Sequence, residues 1–262
     1  MQRAIHTFDN GVRVYEDHLD RKQRKRYRRR NVHEPEEEYV FTELINRLPV
    51  QGCFVNVGAA FGYYVILAHK LSPGLMIHGV EPMERHRAFL RENLRLNGLP
   101  DGDVVIHPEG ISSSEGEVSF LNEGYGSCIP RDSNQIRVLR VRCRQLLERI
   151  GLRKRKHQGP RVLTIPTVTL DALVRRIGRP VDLLQMDVQG LEVEVLKSGV
   201  TSMASAAVKS FLIGTHSLEI HQECVTQLLS HGYIIDVDQP DTKEQPDGIL
   251  FARHQSTEKY SR

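Results

Sequence analysis

The stretch Phe54-Val55-Asn56-Val57-Gly58-Ala59-Ala60-Phe61-Gly62-Tyr63-Tyr64, followed one helix length later by Ile77-His78-Gly79-Val80-Glu81-Pro82, constrains this chain more than any other feature. It reads as a hydrophobic strand, a glycine loop, a helix, a second strand and an acidic residue at that strand's end. This is half of a nucleotide-binding βαβ unit. Gly58 can take the turn and keeps side-chain bulk away from a ligand. A helix beginning near Phe61 offers unpaired N–H groups at its N-terminus. Glu81 stands where a carboxylate accepts hydrogen bonds from two ribose hydroxyls.

The glycine pattern separates two cofactor classes. A dinucleotide fingerprint is Gly-x-Gly-x-x-Gly, whose extra glycines admit a pyrophosphate. Gly58-Ala59-Ala60-Phe61-Gly62 lacks that triplet. A ligand with ribose but no pyrophosphate fits better, and S-adenosylmethionine is the common one. The competing reading is structural: a tight turn at Gly58 and a solvated Glu81.

The chain has 262 residues, 39% of them hydrophobic, enough for one large α/β domain with additions. Its net charge of +3 excludes a polycation, although the basic residues are clustered. Cys53, Cys128, Cys143 and Cys224 are scattered without a CxxC pair, so they indicate neither a zinc site nor a disulfide framework. A reducing compartment is the simplest setting. The N-terminus has no apolar run of signal-peptide length, and no window approaches a membrane span. The expectation is a soluble, cytoplasmic protein.

Thr7-Phe8 and Val12–Val14 flank Asp9-Asn10-Gly11 and predict a hairpin over Ala4–Tyr15. A basic run, Arg21–Arg30, is followed at once by Glu34, Glu36, Glu37 and Glu38. A helix is expected over Pro35–Arg47. Strands at Cys53–Val57, Met76–Val80 and Val104–His107 alternate with helices at Tyr63–Lys70 and Glu84–Asn97. Gly110-Ile111 and a strand at Glu117–Leu121 follow, then an irregular segment, part of which Leu139, Val141, Leu146, Leu147 and Ile150 suggest folds as a helix. A short helix opens at Thr169. Strands at Val181–Asp187 and Ser210–Gly214 alternate with helices at Glu192–Lys197 and Leu218–Ser230. Tyr233–Val237 and Gly248–Arg253 close as an antiparallel pair. Such alternation predicts an α/β fold with a mostly parallel sheet covered on both faces. The expected organisation is an N-terminal hairpin and basic arm over 1–33, then one domain over 34–262 with a basic insertion near 131–166.

A second cluster is Val181-Asp182-Leu183-Leu184-Gln185-Met186-Asp187-Val188-Gln189-Gly190-Leu191-Glu192. Here a buried strand delivers Asp187 at its C-terminal edge, where ligands bind in open α/β sheets. Glu192 opens the next helix, where the dipole favours a carboxylate.

With these residues the chain resembles the FkbM family of S-adenosylmethionine-dependent methyltransferases. The resemblance rests on Val55–Gly62, Val80-Glu81-Pro82, Gly116–Phe120, Thr169-Leu170-Asp171 and Met186–Leu196, which keep the family's order. It covers roughly residues 34–253, with a break near 131–166. The joint occurrence of the Thr-Leu-Asp and Asp-Val-x-Gly-x-Glu segments is the specific part. The family usually has Asp where this chain has Asn56, and Glu where it has Gln189. Both departures remove a charge without changing size.

The resemblance implies a class I, Rossmann-like fold with a terminal antiparallel hairpin, and methyl transfer to oxygen, commonly a hydroxyl on a sugar or natural product. Asn56, Gly58, Ala59, Ala60, Phe61, Gly62, Glu81, Pro82, Gly110, Ile111 and Asp187 are the expected cofactor contacts, Ile111 packing on the adenine. An alcohol needs a general base or a metal ion to become a nucleophile at neutral pH. Asp187 and His216, at neighbouring strand ends, are the catalytic candidates. In this reading His216 accepts the hydroxyl proton and Asp187 orients the acceptor or the methionyl amine. A divalent metal is an option that nothing indicates, and Glu219 and His221 are the residues that would join Asp187 around it.

The basic stretches Arg21–Arg30 and Arg137–Arg161 favour an anionic small-molecule or glycan acceptor, or are simply solvated. Nucleic acid is disfavoured, because no aromatic stacking platform accompanies the charge. Two alternatives stand beside the small-molecule O-methyltransferase: a methyltransferase acting on RNA or protein, and a non-catalytic cofactor-binding domain, for which Asn56 and Gln189 are the hints.

Overall fold

Every residue of strand β3 (Cys53–Val57) is buried, because helices cover both faces of the sheet it centres. The structure is a computed structural model that describes residues 3–100, 102–122, 135–150, 160–241 and 247–260. Among these residues the main sheet has seven strands. On one side of β3 lie β4 (Met76–Val80) and β5 (Val104–His107). On the other lie β9 (Leu183–Met186), β10 (Ser210–Thr215), β12 (Gly248–His254) and β11 (Tyr233–Gln239). Only β12 runs against its neighbours, so the terminal hairpin inserts one reversed strand between two parallel ones.

Alternation along β3 sorts the core. Phe54 faces helices α2 (Pro35–Arg47), α3 (Tyr63–Leu71) and α4 (Glu84–Leu96). Cys53, Val55 and Val57 face α6 (Leu170–Ile177), α7 (Glu192–Lys197), α8 (Val200–Ala204) and α9 (Leu218–Ser230). The predicted helix over 35–47 is observed, with Pro35 in its first turn. Helix α8 was not anticipated.

The N-terminal arm shares the main core. Its hairpin, β1 (Ile5–Thr7) and β2 (Arg13–Tyr15), buries Phe8, Val12 and Val14 beside Phe41, Tyr63 and Tyr64. The basic run forms helix α1 (Arg21–Tyr27), started by a capping box between Asp20 and Gln23 and anchored by buried Tyr27. Arg26 and Arg30 lie 3.8 and 3.4 Å from Glu34 and Glu36, the acidic run that follows them.

The segment expected to be irregular holds the helix that its apolar residues suggested, and a strand that was not anticipated. Helix α5 (Gln135–Arg149) and strand β8 (Arg161–Val168) lie in it, and β8 pairs with β6 (Gly110–Ile111) and β7 (Gly116–Asn122) in a separate three-stranded sheet. Pro166 has no N–H to give to a strand ladder. It is accommodated because β6 meets β8 only at Thr167 and Val168. Residues 123–134 and 151–159, which include Cys128 and part of the predicted insertion, lie outside the described residues.

Candidate active site

The chain runs from β3 outward through β4 to β5, then returns to the other side of β3 for β9 and β10. The β3/β9 boundary is therefore the topological switch point, where open α/β sheets bind ligands. A cavity of about 400 Å³ opens at these strand ends. Asn56, Gly58, Ala59, Ala60, Phe61, Glu81, Pro82, Gly110, Ile111, Asp187 and His216 all line it. Gly62, also expected there, instead caps helix α3 with φ +94°.

Gly58 cannot be replaced by a larger residue without strain. Its φ is +88°, and a Cβ would stand 2.3 Å from the carbonyl oxygen of Asp187. The missing side chain lets the ends of β3 and β9 approach at the cavity floor. Two alanine- and glutamine-sized residues in the same loops, Ala60 (φ 46°) and Gln189 (φ 53°), are also left-handed. Non-glycine residues in this region mark over-determined, functional loops. The amides of the loop ahead of helix α3 are engaged within the fold. Gly58 and Ala59 donate to the Val80 carbonyl, each at 3.0 Å, and Ala60 donates to Glu81 Oε2 at 3.0 Å. Met83 N–H donates to Glu81 Oε1 at 2.7 Å. Glu81 is thus held rigidly at the cavity wall, and each oxygen keeps a second lone pair for a ligand.

One end of the cavity is apolar. Met83, Phe120 and Ile165 pack together and line it beside Ile111. Phe120 and Ile165 come from β7 and β8, so the small sheet supplies this wall. Sequence signals for this wall are weak, since Ile165 precedes a proline in a segment without clear periodicity.

The other end is polar and acidic. His216 Nδ1 lies 2.8 Å from Glu192 Oε1, and its Nε2 lies 3.3 Å from Asp187 Oδ1 and 3.7 Å from Asp247 Oδ1. Burial opposes a charged imidazole, but the Glu192 hydrogen bond and the surrounding carboxylates outweigh it and raise His216 to about 9. Asp187 is pushed up to about 7 by burial and by Glu34, against the pull of His216. Gln189 donates from Nε2 to Asp187 Oδ1 at 3.2 Å and approaches His216 Nε2 at 2.9 Å.

A buried relay that sequence reading missed lies behind this end. Asn56 and Gln185 are register partners on β3 and β9. Asn56 Nδ2 donates to Gln185 Oε1, and Gln185 Nε2 donates to Glu37 Oε1 at 2.8 Å. Burial, then Glu34 and Asp187, raise the Glu37 carboxyl well above its usual range. Only Asn56 carried a signal in the sequence, as a departure from the family pattern.

The arm closes the site. His33 and Glu34 line the cavity, and exposed Asp20, Lys22 and Arg26 form its rim. Burial, with Arg26 nearby, lowers His33 to about 3, so its ring is neutral. The residues considered for a metal do not assemble. His221 lies 2.8 Å from both Thr215 Oγ1 and Asp238 Oδ1, and Glu219 is exposed. Among the described residues no group of three or more His, Cys, Asp or Glu is placed to hold a metal ion. Nor is any helix there long and apolar enough to cross a membrane.

Comparison with known proteins gives a consistent pattern. The methyltransferase FkbM domain model matches residues 56–236. A 72-residue stretch is 39% identical to a methyltransferase-named protein of Jannaschia sp. (strain CCS1), covering 28% of this chain and 25% of that protein. Over 244 residues the chain is 25% identical to methyltransferase sdnD of Sordaria araneosa, covering 84% and 91% of the two. The solved methyltransferase FkbM of Methylobacillus flagellatus KT has a similar fold, with TM-score 0.51 and 15% identity over 83% of this chain and 50% of that one. The match thus spans a quarter of the Jannaschia protein and half of the solved chain.

Proposed function

The chain belongs to the FkbM methyltransferase family, and we propose that it transfers a methyl group from S-adenosylmethionine to a hydroxyl of a small molecule, sugar or natural product. The observation that carries this reading is the convergence of Gly58, Glu81 and Asp187 on one cavity at the switch point. The residues present fit the cofactor. Gly58 leaves a cradle that a Cβ would fill, and Glu81 is a preset acceptor for ribose hydroxyls. Ile111, Phe120, Ile165 and Met83 form an apolar slot suited to an adenine face.

When bound, the cofactor supplies a methyl group already activated by a positive sulfur. The protein's task is then alignment and removal of the hydroxyl proton. Sequence reasoning gave that proton to His216. Carboxylates on several sides hold the imidazole proton, so a resting His216 is charged at neutral pH. Asp187, raised to about 7, is the better matched acceptor. In this reading Asp187 takes the hydroxyl proton and His216 steadies the carboxylate. Lys22 and Arg26 at the rim receive any anionic group of the acceptor.

Titration calorimetry with S-adenosylhomocysteine, beside Glu81→Ala, tests the cofactor assignment. Wild type should bind in the micromolar range, and the variant roughly 10- to 100-fold more weakly. Well-folded wild type that does not bind would overturn it. Methyl transfer from labelled S-adenosylmethionine to hydroxylated acceptors, compared with amine analogues, tests the oxygen specificity.

A further inference from the structure

Helix α5 carries two apolar faces. On one, Val138 and Val141 are buried, and Gln145 exchanges hydrogen bonds with the backbone of Val162 on β8 at 3.3 and 3.1 Å. At 100° per residue, Leu139, Cys143, Leu146 and Ile150 fall on the opposite side, with Leu147 beside them. Leu139, Leu146 and Ile150 are each 58% exposed and Leu147 is 38% exposed. Cys143 is exposed as well. Burying one stripe is what a surface helix does. A second stripe facing solvent on the same helix marks a contact surface.

Charge identifies what the stripe meets. Arg137, Arg140 and Arg142 are exposed around it. Residues 135–161 hold ten Arg and Lys and one acid, Glu148. That acid is already occupied inside the fold, 3.6 Å from Arg144 and 3.8 Å from Arg161. A second copy of the chain would bring the same positive helix against this one. A nucleic acid would match the charge but offers leucines no apolar phase. A bilayer bearing anionic headgroups supplies both partners at once. At 15 residues α5 is about 22 Å long, too short and too basic to span, but suited to lie flat.

We propose that α5 docks the protein on an anionic membrane surface, with Leu139, Leu146, Leu147 and Ile150 at the headgroup boundary and Arg137 and Arg140 among the phosphates. This surface is separate from the cavity, which no α5 residue lines.

Co-sedimentation with phosphatidylcholine vesicles, with and without one-quarter phosphatidylserine, tests the proposal in 0.1 M salt. Wild type should bind the anionic vesicles at least about tenfold more tightly than the neutral ones. Leu139→Glu/Leu146→Glu should lose binding while melting like wild type, since both positions face solvent. Arg137→Gln/Arg140→Gln should weaken binding toward the neutral-vesicle level. Absence of wild-type binding to anionic vesicles would overturn the proposal. So would a leucine variant that binds as wild type does, which would reduce the contact to charge alone. A dimer that the leucine variant breaks, without vesicle binding, would assign the stripe to a second copy instead.

Discussion

His216 Nδ1 lies 2.8 Å from Oε1 of Glu192, a carboxylate with no solvent exposure. This bond fixes which ring nitrogen faces the cleft, because Nδ1 is committed to Glu192 and Nε2 is left toward Asp187. It also helps hold the imidazole proton. Glu192→Gln keeps an acceptor for Nδ1–H but removes the charge. The His216 pKa should fall from about 9 toward its ordinary value, and an NMR titration of the ring reads it directly. An unmoved pKa would show that Asp187 and Asp247 alone keep the proton.

The same pair gives stability a direction with pH. The folded pKa of His216 is raised from 6.5 to about 9, so its contribution is full below about pH 6.5 and is lost as pH rises through 9. The folded pKa of Asp187 is raised from 3.8 to about 7, so its protonated form favours folding below that range and the benefit is lost through pH 7. Both slopes have one sign. Below about pH 6.5 the opposite slope of buried, neutral His33 intervenes, so the urea midpoint of the ligand-free protein should decline between about pH 7 and 9.5, and His216→Asn should flatten that decline.

Asn56→Asp restores the family's usual residue and should nonetheless destabilise this chain by about 1–3 kcal/mol at pH 8. A carboxylate cannot donate to Gln185 Oε1. The Gln185 amide must turn, and its oxygen then faces Glu37. Adding Glu37→Gln supplies a donor there and should recover most of the loss. Urea unfolding of the four proteins of this cycle measures the coupling.

Gly58→Ala should cost about 2–5 kcal/mol from a left-handed φ and a clash with the Asp187 carbonyl. Because the clash pushes β3 and β9 apart at the cavity floor, S-adenosylhomocysteine affinity should fall even at temperatures where the variant is fully folded. Calorimetry at 10 °C checks this.

Phe120→Ala opens the apolar slot by removing the ring that packs with Met83 and Ile165. Cofactor KM should rise about tenfold, as for the loss of one buried aromatic contact of 1–1.5 kcal/mol. Turnover at saturating cofactor should stay near wild type. A matched fall in kcat would place Phe120 in the chemistry instead.

The strand and helix order, the glycine loop, Glu81 and Asp187 could be read from the chain because each rests on local chemistry. A continuous apolar run, a glycine at a turn and an acid at a strand end are properties of neighbours in sequence. Helix α5 was legible only as a tendency, and the leucines that suggested it proved to face solvent rather than the core. Strand β8 was hidden by Pro166.

What tertiary structure alone decided is which side chains share a charge and a hydrogen bond. Gln185 meets Glu37 across 148 positions of sequence. His18 and Tyr15 of the arm meet Asn93, which donates in turn to the Phe61 carbonyl at 2.8 Å and so ties the arm to the glycine loop. His216 becomes cationic because Asp187 and Glu192 from one segment and Asp247 from another converge on it. Electrostatic energy depends on distance in space and on burial. Sequence spacing specifies neither, so the chain determines the scaffold and its glycine loop locally, while the protonation of its acidic cleft exists only once the sheet has closed.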